Sequence, residues 1–340
     1  MARAFPFDSD RFEWRDGART VSFGDGGLAT AAETLAERGW DGYELLSTAR
    51  ALESAPRLLI DGAAAVHEVP PGQVPVISAG LLDEVVVPTL VALGGGRVTD
   101  VAKAIAAVRG GRVCAIPTTL SGAPMTSIHR LPEGAGATGL VRPELVIADP
   151  DEMTGQPEER MRASAMNALA HGSDSLWTPL ANPVSRSAGL AGAGLIAHAL
   201  DQPRAARERS ALALGALLCS FAVDSARLAL HHVICQTLVR VLEIPHAETN
   251  ATMLPRVLEA MRERAPTEIA ALAGSLGTTA EMIGARVDGL GGGRRHLADI
   301  GADHGRLEAA LDGMLERPDL RHTPDPPGRD DLRRIVESAW

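Results

Sequence analysis

The sequence has 340 residues, enough for two domains of ordinary size, and 45% hydrophobic and 22% charged residues, which is typical of a folded globular protein. Its net charge of −10 argues against a broad nucleic-acid surface, which needs clustered lysine and arginine side chains. The three cysteines are scattered without a CxxC pair, so they offer neither a disulfide framework nor a thiolate metal site.

Targeting and membrane signals are the next features to consider. The first fourteen residues contain no apolar run, so we expect no secretory signal. The most apolar stretch, residues 85–93, is about half the length of a membrane span and contains Pro88. We therefore expect a cytoplasmic protein with neither a membrane nor a nucleic acid as partner.

The first half of the chain alternates between strand and helix patterns. Strands are predicted at residues 20–23, 43–46, 84–93, 113–116 and 145–148, with weaker candidates at 58–60 and 68–69. Helices are predicted at 28–38, closed by Gly39, and at 98–108. Strands that alternate with helices predict a mostly parallel α/β sheet.

The second half of the chain is predicted to be helical. From residue 158 to about 339 the apolar residues recur at helical spacing, and the alanine-rich stretches 188–200 and 209–230 are typical of packed bundle helices. Residues 291–293 predict a glycine loop, and residues 321–329 a proline-rich connection to a final helix. We place the domain boundary between residues 1–153 and 154–340, and a cleft between two domains is a usual ligand site.

A glycine turn in the first half predicts an anion site. Gly94, Gly95 and Gly96 join a predicted buried strand to a predicted helix. Glycines let a pyrophosphate approach the backbone, and a helix start presents unpaired N–H groups. Asp100 and Lys103 lie on nearly one face of this helix, where a surface ion pair is the alternative interpretation.

Hydroxyl side chains follow another predicted strand. Thr118 and Thr119 come directly after the strand at 113–116, at the edge where parallel α/β sheets bind ligands. They could equally cap the next turn.

Histidines mark two segments of the helical half. Asn167 and His171 are four residues apart and therefore share a helical face, as do His232 and Gln236, while His246 follows shortly after. His231 is rotated away from His232. The cluster could bind zinc or iron, or it could be metal-free proton-transfer machinery.

Taken together and in this order, these motifs resemble the iron-containing alcohol dehydrogenase superfamily. The shared segments are the glycine turn with Asp100 and Lys103, the Pro-Thr-Thr segment, residues 146–150 and the two histidine segments. Within the superfamily, the maleylacetate reductase group is similar at residues 45–48, 165–171, 230–235 and 245–249.

The resemblance implies a Rossmann-like α/β N-terminal domain, an all-α C-terminal domain, the dehydroquinate synthase-like fold of this superfamily, and a homodimer. It implies that Gly95 and Gly96 hold the pyrophosphate of NADH or NADPH. The further cofactor-binding candidates are Ser47, Thr48, Gly94, Arg97, Asp100, Thr118, Thr119, Leu120 and Thr126. The catalytic candidates are His171, His232, His246, Asn167, Gln236 and Lys103.

Three positions depart from the superfamily's pattern, and a fourth bears on the metal. Arg97 replaces a serine, Pro124 stands where a glutamate is usual, and Gln236 stands where histidine is common. Metal-dependent members have an aspartate at the position of Asn167. A neutral amide there predicts an enzyme without a metal; if one is present, it would be iron or zinc on His171, His232 and His246.

The leading hypothesis is an NAD(P)H-dependent reductase of a small unsaturated oxo-acid, such as maleylacetate, or a sister reductase. Three alternatives stay open at this point. They are a metal-dependent alcohol dehydrogenase, a sugar-phosphate cyclase-like lyase of the same fold, and a non-catalytic relative that binds a nucleotide.

Overall fold

The structure is a computed structural model that describes residues 12–136 and 138–340. The first eleven residues, part of the stretch where we expect no secretory signal, lie outside the described residues. The described residues up to Gln156 form one compact unit, and Pro157–Trp340 form a second. The predicted boundary after residue 153 falls within a short helix, α6 (Pro150–Thr154).

The first unit contains a seven-stranded sheet in its described residues. The strands are β1 (Phe12–Asp16), β2 (Arg19–Phe23), β3 (Glu44–Ser47), β4 (Ala65–Glu68), β5 (Thr89–Gly94), β6 (Arg112–Pro117) and β7 (Leu145–Ala148). Their order is β1-β2-β7-β6-β5-β3-β4, and only the β1–β2 pair is antiparallel. From β3 the chain winds outward to β4 and then returns to β5, so the winding reverses between β3 and β5. Sheets of this kind bind ligands outside the carboxyl ends of the strands at such a reversal.

Helices cover both faces of this sheet. They are α1 (Ala31–Glu37), α2 (Ala49–Ser54), α3 (Arg57–Asp61), α4 (Val74–Leu81), α5 (Gly96–Arg109) and α6. Leu45 and Leu46 are neighbours in β3 and point to opposite faces. Leu45 is buried in a cluster with residues of α1 and α3, and Leu46 in a cluster with residues of α4 and α5. The predicted Rossmann-like α/β architecture is confirmed.

Two of the strand predictions are wrong in part or in whole. Residues 58–60 belong to α3, because Pro56 precedes its first turn and Leu59 is buried on one helical face. The predicted strand at 84–93 begins only at Thr89. The backbone N–H groups of Val86 and Val87 donate to the side chain of Glu44 instead of to a neighbouring strand.

The second unit is helical, as predicted. Its helices are α7 (Glu158–Asp174), α8 (Pro183–Asp201), α9 (Arg209–Ala226), α10 (Leu230–Leu242), α11 (His246–Arg264), α12 (Pro266–Ser275), α13 (Ile283–Leu290), α14 (Leu307–Leu315) and α15 (Arg329–Glu337). The predicted helix at 209–230 ends at Ala226, because Arg227 adopts a positive φ of 72° and turns the chain toward α10. Helix α9 is long and apolar enough to cross a membrane, but 78% of it is buried within the protein, as expected of a core helix.

Glycines allow α7, α8 and α9 to pack unusually closely. A Cβ atom at Gly172 of α7 would lie 2.6 Å from Cys219 Sγ of α9. A Cβ atom at Gly192 of α8 would lie 2.7 Å from the carbonyl oxygen of Gly215 of α9. The small residues therefore fix the position of α7, the helix that carries Asn167 and His171.

Candidate active site

Two of the predicted histidines stack on each other in the helical unit. The rings of His171 on α7 and His232 on α10 have centroids 4.6 Å apart and planes within 10°. Burial lowers the pKa of His232 to about 3, with smaller contributions from His246 and Arg317. Burial, with His232 and His246, holds the pKa of His171 well below its usual value. Both rings are therefore neutral near pH 7.

Asp174, the last residue of α7, orients His232. Nδ1 of His232 donates to the Asp174 carboxylate at 2.8 Å, and the backbone N–H of Ala229 donates to the same oxygen at 2.9 Å. Burial raises the pKa of Asp174, and His231 and the donated backbone N–H groups oppose this rise. With its proton on Nδ1, the imidazole of His232 keeps a lone pair on Nε2 that can accept a proton or a hydrogen bond.

Besides Oδ1 of Asp174, three buried polar atoms around this pair have no hydrogen-bond partner among the described residues. They are Nε2 of His232, Nδ1 of His171 and Oδ1 of Asn167. Asn167 shares the helical face of His171, as predicted by their spacing, but the two side chains do not bond to each other. Buried polar atoms in folded proteins are almost always satisfied, so these three atoms call for a bound molecule or water.

His231 connects α10 to the start of α11. Its Nε2 donates to Oδ1 of Asn250 at 2.8 Å, and Nδ2 of Asn250 donates to the carbonyl of His246 at 2.7 Å. His231 is fully buried and stands edge-on to His232. His246 is exposed at the first position of α11, and this chain of bonds fixes the backbone there.

The arrangement of the histidines does not fit a metal ion. In parallel rings the nitrogen lone pairs lie in parallel planes, whereas two ligands of a tetrahedral ion must converge on it. Among residues 12–136 and 138–340, no three His, Cys, Asp or Glu side chains are grouped as metal ligands. Activity without a metal stays a prediction, which measurement must decide.

Gln236 and Arg317 lie next to the histidine pair. Gln236 follows His232 by one turn of α10, and its Oε1 accepts a hydrogen bond from Arg317 at 2.9 Å. The predicted catalytic residue at 236 is therefore engaged with a guanidinium.

The candidate cofactor residues lie at the carboxyl edge of β3, β5 and β6. Gly94 ends β5 and α5 starts at Gly96, so the glycine turn is a strand-to-helix turn as predicted. A Cβ atom at Gly95 would lie 3.0 Å from Cγ2 of Thr119, and one at Gly96 would overlap Ser121 Oγ. A side chain at either glycine would therefore have to displace Thr119 or Ser121, in the segment that follows β6.

Several hydroxyls at this edge are already bonded within the protein. Ser47 is fully buried and donates to the Leu93 carbonyl at 2.8 Å, and Thr48 caps α2 by accepting from Ala51 N–H at 3.2 Å. Thr119 accepts from Ser121 N–H at 3.3 Å. Thr118 is half-buried, whereas Arg97 is exposed in the first turn of α5.

Lys103 binds the backbone of the segment that follows β6. Its ammonium donates to the carbonyls of Ala123, Thr126 and Ile128 at 3.1, 3.1 and 2.8 Å, and it pairs with Asp100 at 2.8 Å. These contacts use all three N–H groups of a side chain with no exposed surface. The arrangement gives Lys103, Asp100 and the buried Leu120 and Thr126 a positioning role rather than a place at the reacting atoms.

Three residues of the helical site are not among those predicted from the sequence. Asp174 lies three residues after His171, so the helical period could have placed both on adjacent faces. Asn250 lies one turn after His246 on α11. Arg317 has no local signal, because its contact with Gln236 joins residues far apart in sequence.

Comparisons with known proteins agree with this architecture. The profile of the Fe-containing alcohol dehydrogenase family, C-terminal, matches residues 161–340. A maleylacetate reductase of Burkholderia cepacia is 32% identical over 74% of this chain and 73% of its own length. Maleylacetate reductase 1 of Rhodococcus opacus is 32% identical over 74% and 72%.

Solved structures extend the likeness to both units. The crystal structure of maleylacetate reductase from Agrobacterium tumefaciens superposes with a TM-score of 0.83 and 27% identity, covering 97% of this chain and 98% of that one. An iron-containing alcohol dehydrogenase from Corynebacterium glutamicum gives a TM-score of 0.81 and 31% identity over 94% of each chain.

Proposed function

Because the chain belongs to the iron-containing alcohol dehydrogenase family, we propose that this oxidoreductase is an NAD(P)H-dependent reductase of an unsaturated oxo-acid, with maleylacetate as its substrate. The similarity to maleylacetate reductases at 32% identity supports this substrate class. A cytoplasmic location and a homodimeric assembly belong to the same proposal.

The observation that carries the proposal is the buried pair of Asp174 and His232. A carboxylate that fixes one imidazole nitrogen and leaves the other without a partner is a typical arrangement for proton transfer. With its proton on Nδ1, His171 would then donate to an oxygen atom of the substrate, and Oδ1 of Asn167 would accept from a bound water molecule.

The cofactor site follows from the sheet. The carboxyl edge of β3 and β5 combines the turn at Gly94–Gly96 with the free N–H groups at the start of α5, which suit a pyrophosphate. When bound, the nicotinamide supplies a hydride. Hydride and a proton together saturate the double bond of maleylacetate to give 3-oxoadipate, and the oxidised nicotinamide is the other product.

The proton would reach the substrate through His232. Its neutral Nε2 can hold a water molecule by accepting a hydrogen bond, and Asp174 would stabilise the imidazolium form as the proton passes. His231 and Asn250 would act indirectly, by holding the backbone at His246. No step in this account requires a metal.

The test is steady oxidation of NADH or NADPH by the purified enzyme after addition of maleylacetate, with 3-oxoadipate identified as the product. The same preparation is analysed for metals before and after treatment with a chelator. We expect turnover without stoichiometric metal. Absence of turnover would reject the substrate, and stoichiometric iron or zinc with activity lost on chelation would reject the metal-free mechanism.

A further inference from the structure

Arg317 brings a positive charge close to the histidine pair. It precedes a 3₁₀ turn, Pro318–His322, and its side chain is only 21% exposed. Its NH2 group donates to Gln236 Oε1 and to Asp319 Oδ2, both at 2.9 Å. Gln236 lies one turn after His232 on α10, and the guanidinium is close enough for its charge to lower the pKa of His232.

The turn that carries Arg317 is fixed against α10 at both ends. Nδ1 of His322 donates to the carbonyl of Leu228, just before α10, at 2.8 Å. Together with the bond between Arg317 and Gln236, this contact orients the guanidinium before any ligand arrives. A side chain that is already ordered loses less entropy when it binds.

The guanidinium of Arg317 has N–H groups left to bind a ligand. Asp319 is its one carboxylate partner among the described residues and is itself partly exposed. Nε and NH1 of Arg317 have no hydrogen-bond partner in the part of the chain that the structure describes. Each of these two nitrogens can still donate a charge-assisted hydrogen bond to a carboxylate oxygen.

Gln236 adds no second negative charge to the one that Asp319 already places beside the guanidinium. Its amide oxygen accepts a hydrogen bond from Arg317 without neutralising it. A glutamate at the same place would accept the same bond and cancel much of the charge. The neutral residue at position 236 therefore orients the arginine and leaves it available to an anion.

We propose that Arg317, positioned by Gln236, binds a carboxylate group of the substrate and makes the enzyme selective for anionic oxo-acids over neutral alcohols and aldehydes. This inference rests on the proposed function, because it assumes that the histidine pair is the reacting site.

The kinetic test compares Arg317→Met with the wild type. Methionine keeps an unbranched apolar stem and removes the charge. We expect KM for maleylacetate to rise at least tenfold with kcat changed less than threefold and the Kd for NADH unchanged, because a contact made equally in the ground state and the transition state affects KM. Arg321→Met is the matched control: Arg321 is exposed on the same turn, and its variant should leave every constant unchanged.

A second variant tests the positioning role of Gln236. Gln236→Glu keeps the acceptor and adds a negative charge, so KM for maleylacetate should rise severalfold. Gln236→Met removes the acceptor without adding charge and should raise KM less than Gln236→Glu does. The reverse order of these two variants would contradict an electrostatic role for the arginine.

A binding experiment tests the role of Arg317 independently of whether maleylacetate is the substrate. Adipate is a saturated dicarboxylate that the enzyme cannot reduce, and 1,6-hexanediol is its neutral counterpart. Calorimetry on the NADH-bound enzyme should show adipate binding that weakens at least tenfold in Arg317→Met, with no binding of the diol. If the wild type fails to reduce maleylacetate but shows this pattern, the proposed substrate is wrong and the inference stands. If neither the KM for maleylacetate nor the Kd for adipate rises in Arg317→Met, the inference is overturned.

Discussion

At the scale of single residues, the site depends on which nitrogen of His232 carries the proton. Asp174 holds it on Nδ1 through a 2.8 Å bond, in surroundings where both groups are almost fully buried. Replacing either Asp174 or His232 by another polar residue would therefore change how readily Nε2 accepts a proton.

Asp174→Asn is the variant that probes this arrangement. An amide oxygen in the place of this carboxylate oxygen can still accept from Ala229 N–H and from Nδ1 of His232, so the fold should persist, but the negative charge that stabilises the imidazolium form is lost. We expect kcat to fall by about 10²–10⁴, the usual contribution of positioned acid–base groups, with Kd for NADH unchanged. A variant with near-wild-type kcat would remove Asp174 from the mechanism.

At the scale of helices, small residues decide how closely α7, α8 and α9 approach. The backbone of α8 at Gly192 lies against Gly215 and Cys219 of α9. Gly194, two residues further along α8, meets only the carbonyl of Ser275, 3.4 Å from where a Cβ atom would lie.

This pair gives a matched test of helix packing. Gly192→Ala should lower the free energy of unfolding by about 1–3 kcal/mol, because the new methyl group overlaps the backbone of α9. Gly194→Ala should be neutral or stabilising by up to about 1 kcal/mol, since alanine favours a helix more than glycine does. Urea unfolding measures both, and equal effects of the two substitutions would contradict the close packing.

The buried histidines of α10 make a further prediction about stability. Burial lowers the pKa of His231 and of His232 to about 3, whereas an unfolded histidine titrates near 6.5. Below pH 6.5 the unfolded chain therefore binds more protons than the folded one, so stability is present above this pH and is lost as the pH falls toward 3. The loss should approach about 1.4 kcal/mol per pH unit for each histidine.

Urea unfolding at pH values between 7.5 and 5 would measure this dependence. His231→Gln is the informative variant, since it removes one of the buried histidines whose pKa is lowered. Its stability should fall less steeply with acidification than that of the wild type, even if its stability at pH 7.5 is lower. Equal slopes for the two proteins would show that His231 does not titrate as its burial predicts.

At the scale of the whole molecule, the local spacing of apolar residues correctly predicted an α/β unit followed by a helical unit. β7 lies at the predicted residues, and α5 extends the predicted helix by two residues at its start and one at its end, because both have strong apolar periodicity and clear boundaries. The short helix α3 was missed because five residues carry too little periodicity to distinguish a helix from a strand.

The site was only partly predictable for a related reason. Helical spacing could pair Asn167 with His171, and His232 with Gln236, since each pair lies on one helix. The stacking of His171 on His232 and the bond between Arg317 and Gln236 each join two different elements. Such contacts leave no periodic pattern in the sequence, so they could not be predicted from it.

The choice between NADH and NADPH is a property of the α/β unit as a whole. β3 ends in Ser47 and Thr48, with no carboxylate at that strand end to repel a 2′-phosphate. We expect kcat/KM for the two cofactors to differ by less than about 100-fold, or roughly 2.7 kcal/mol. Parallel kinetics with both cofactors measure it. A larger preference would point to Arg97, or to Glu68 at the exposed end of β4 beside Ser47, as the deciding charge.

Lys103 is the only lysine in the sequence, and it is completely enclosed beneath the segment 123–128. Everywhere else the chain uses arginine as its basic residue, and a planar guanidinium could not direct three donors from one atom toward the three carbonyls. Amine-directed reagents should therefore find no reactive lysine on the native protein. Acylation of Lys103 would proceed only when the segment opens, so its rate, followed by mass spectrometry, would report that opening with a label that the protein itself provides.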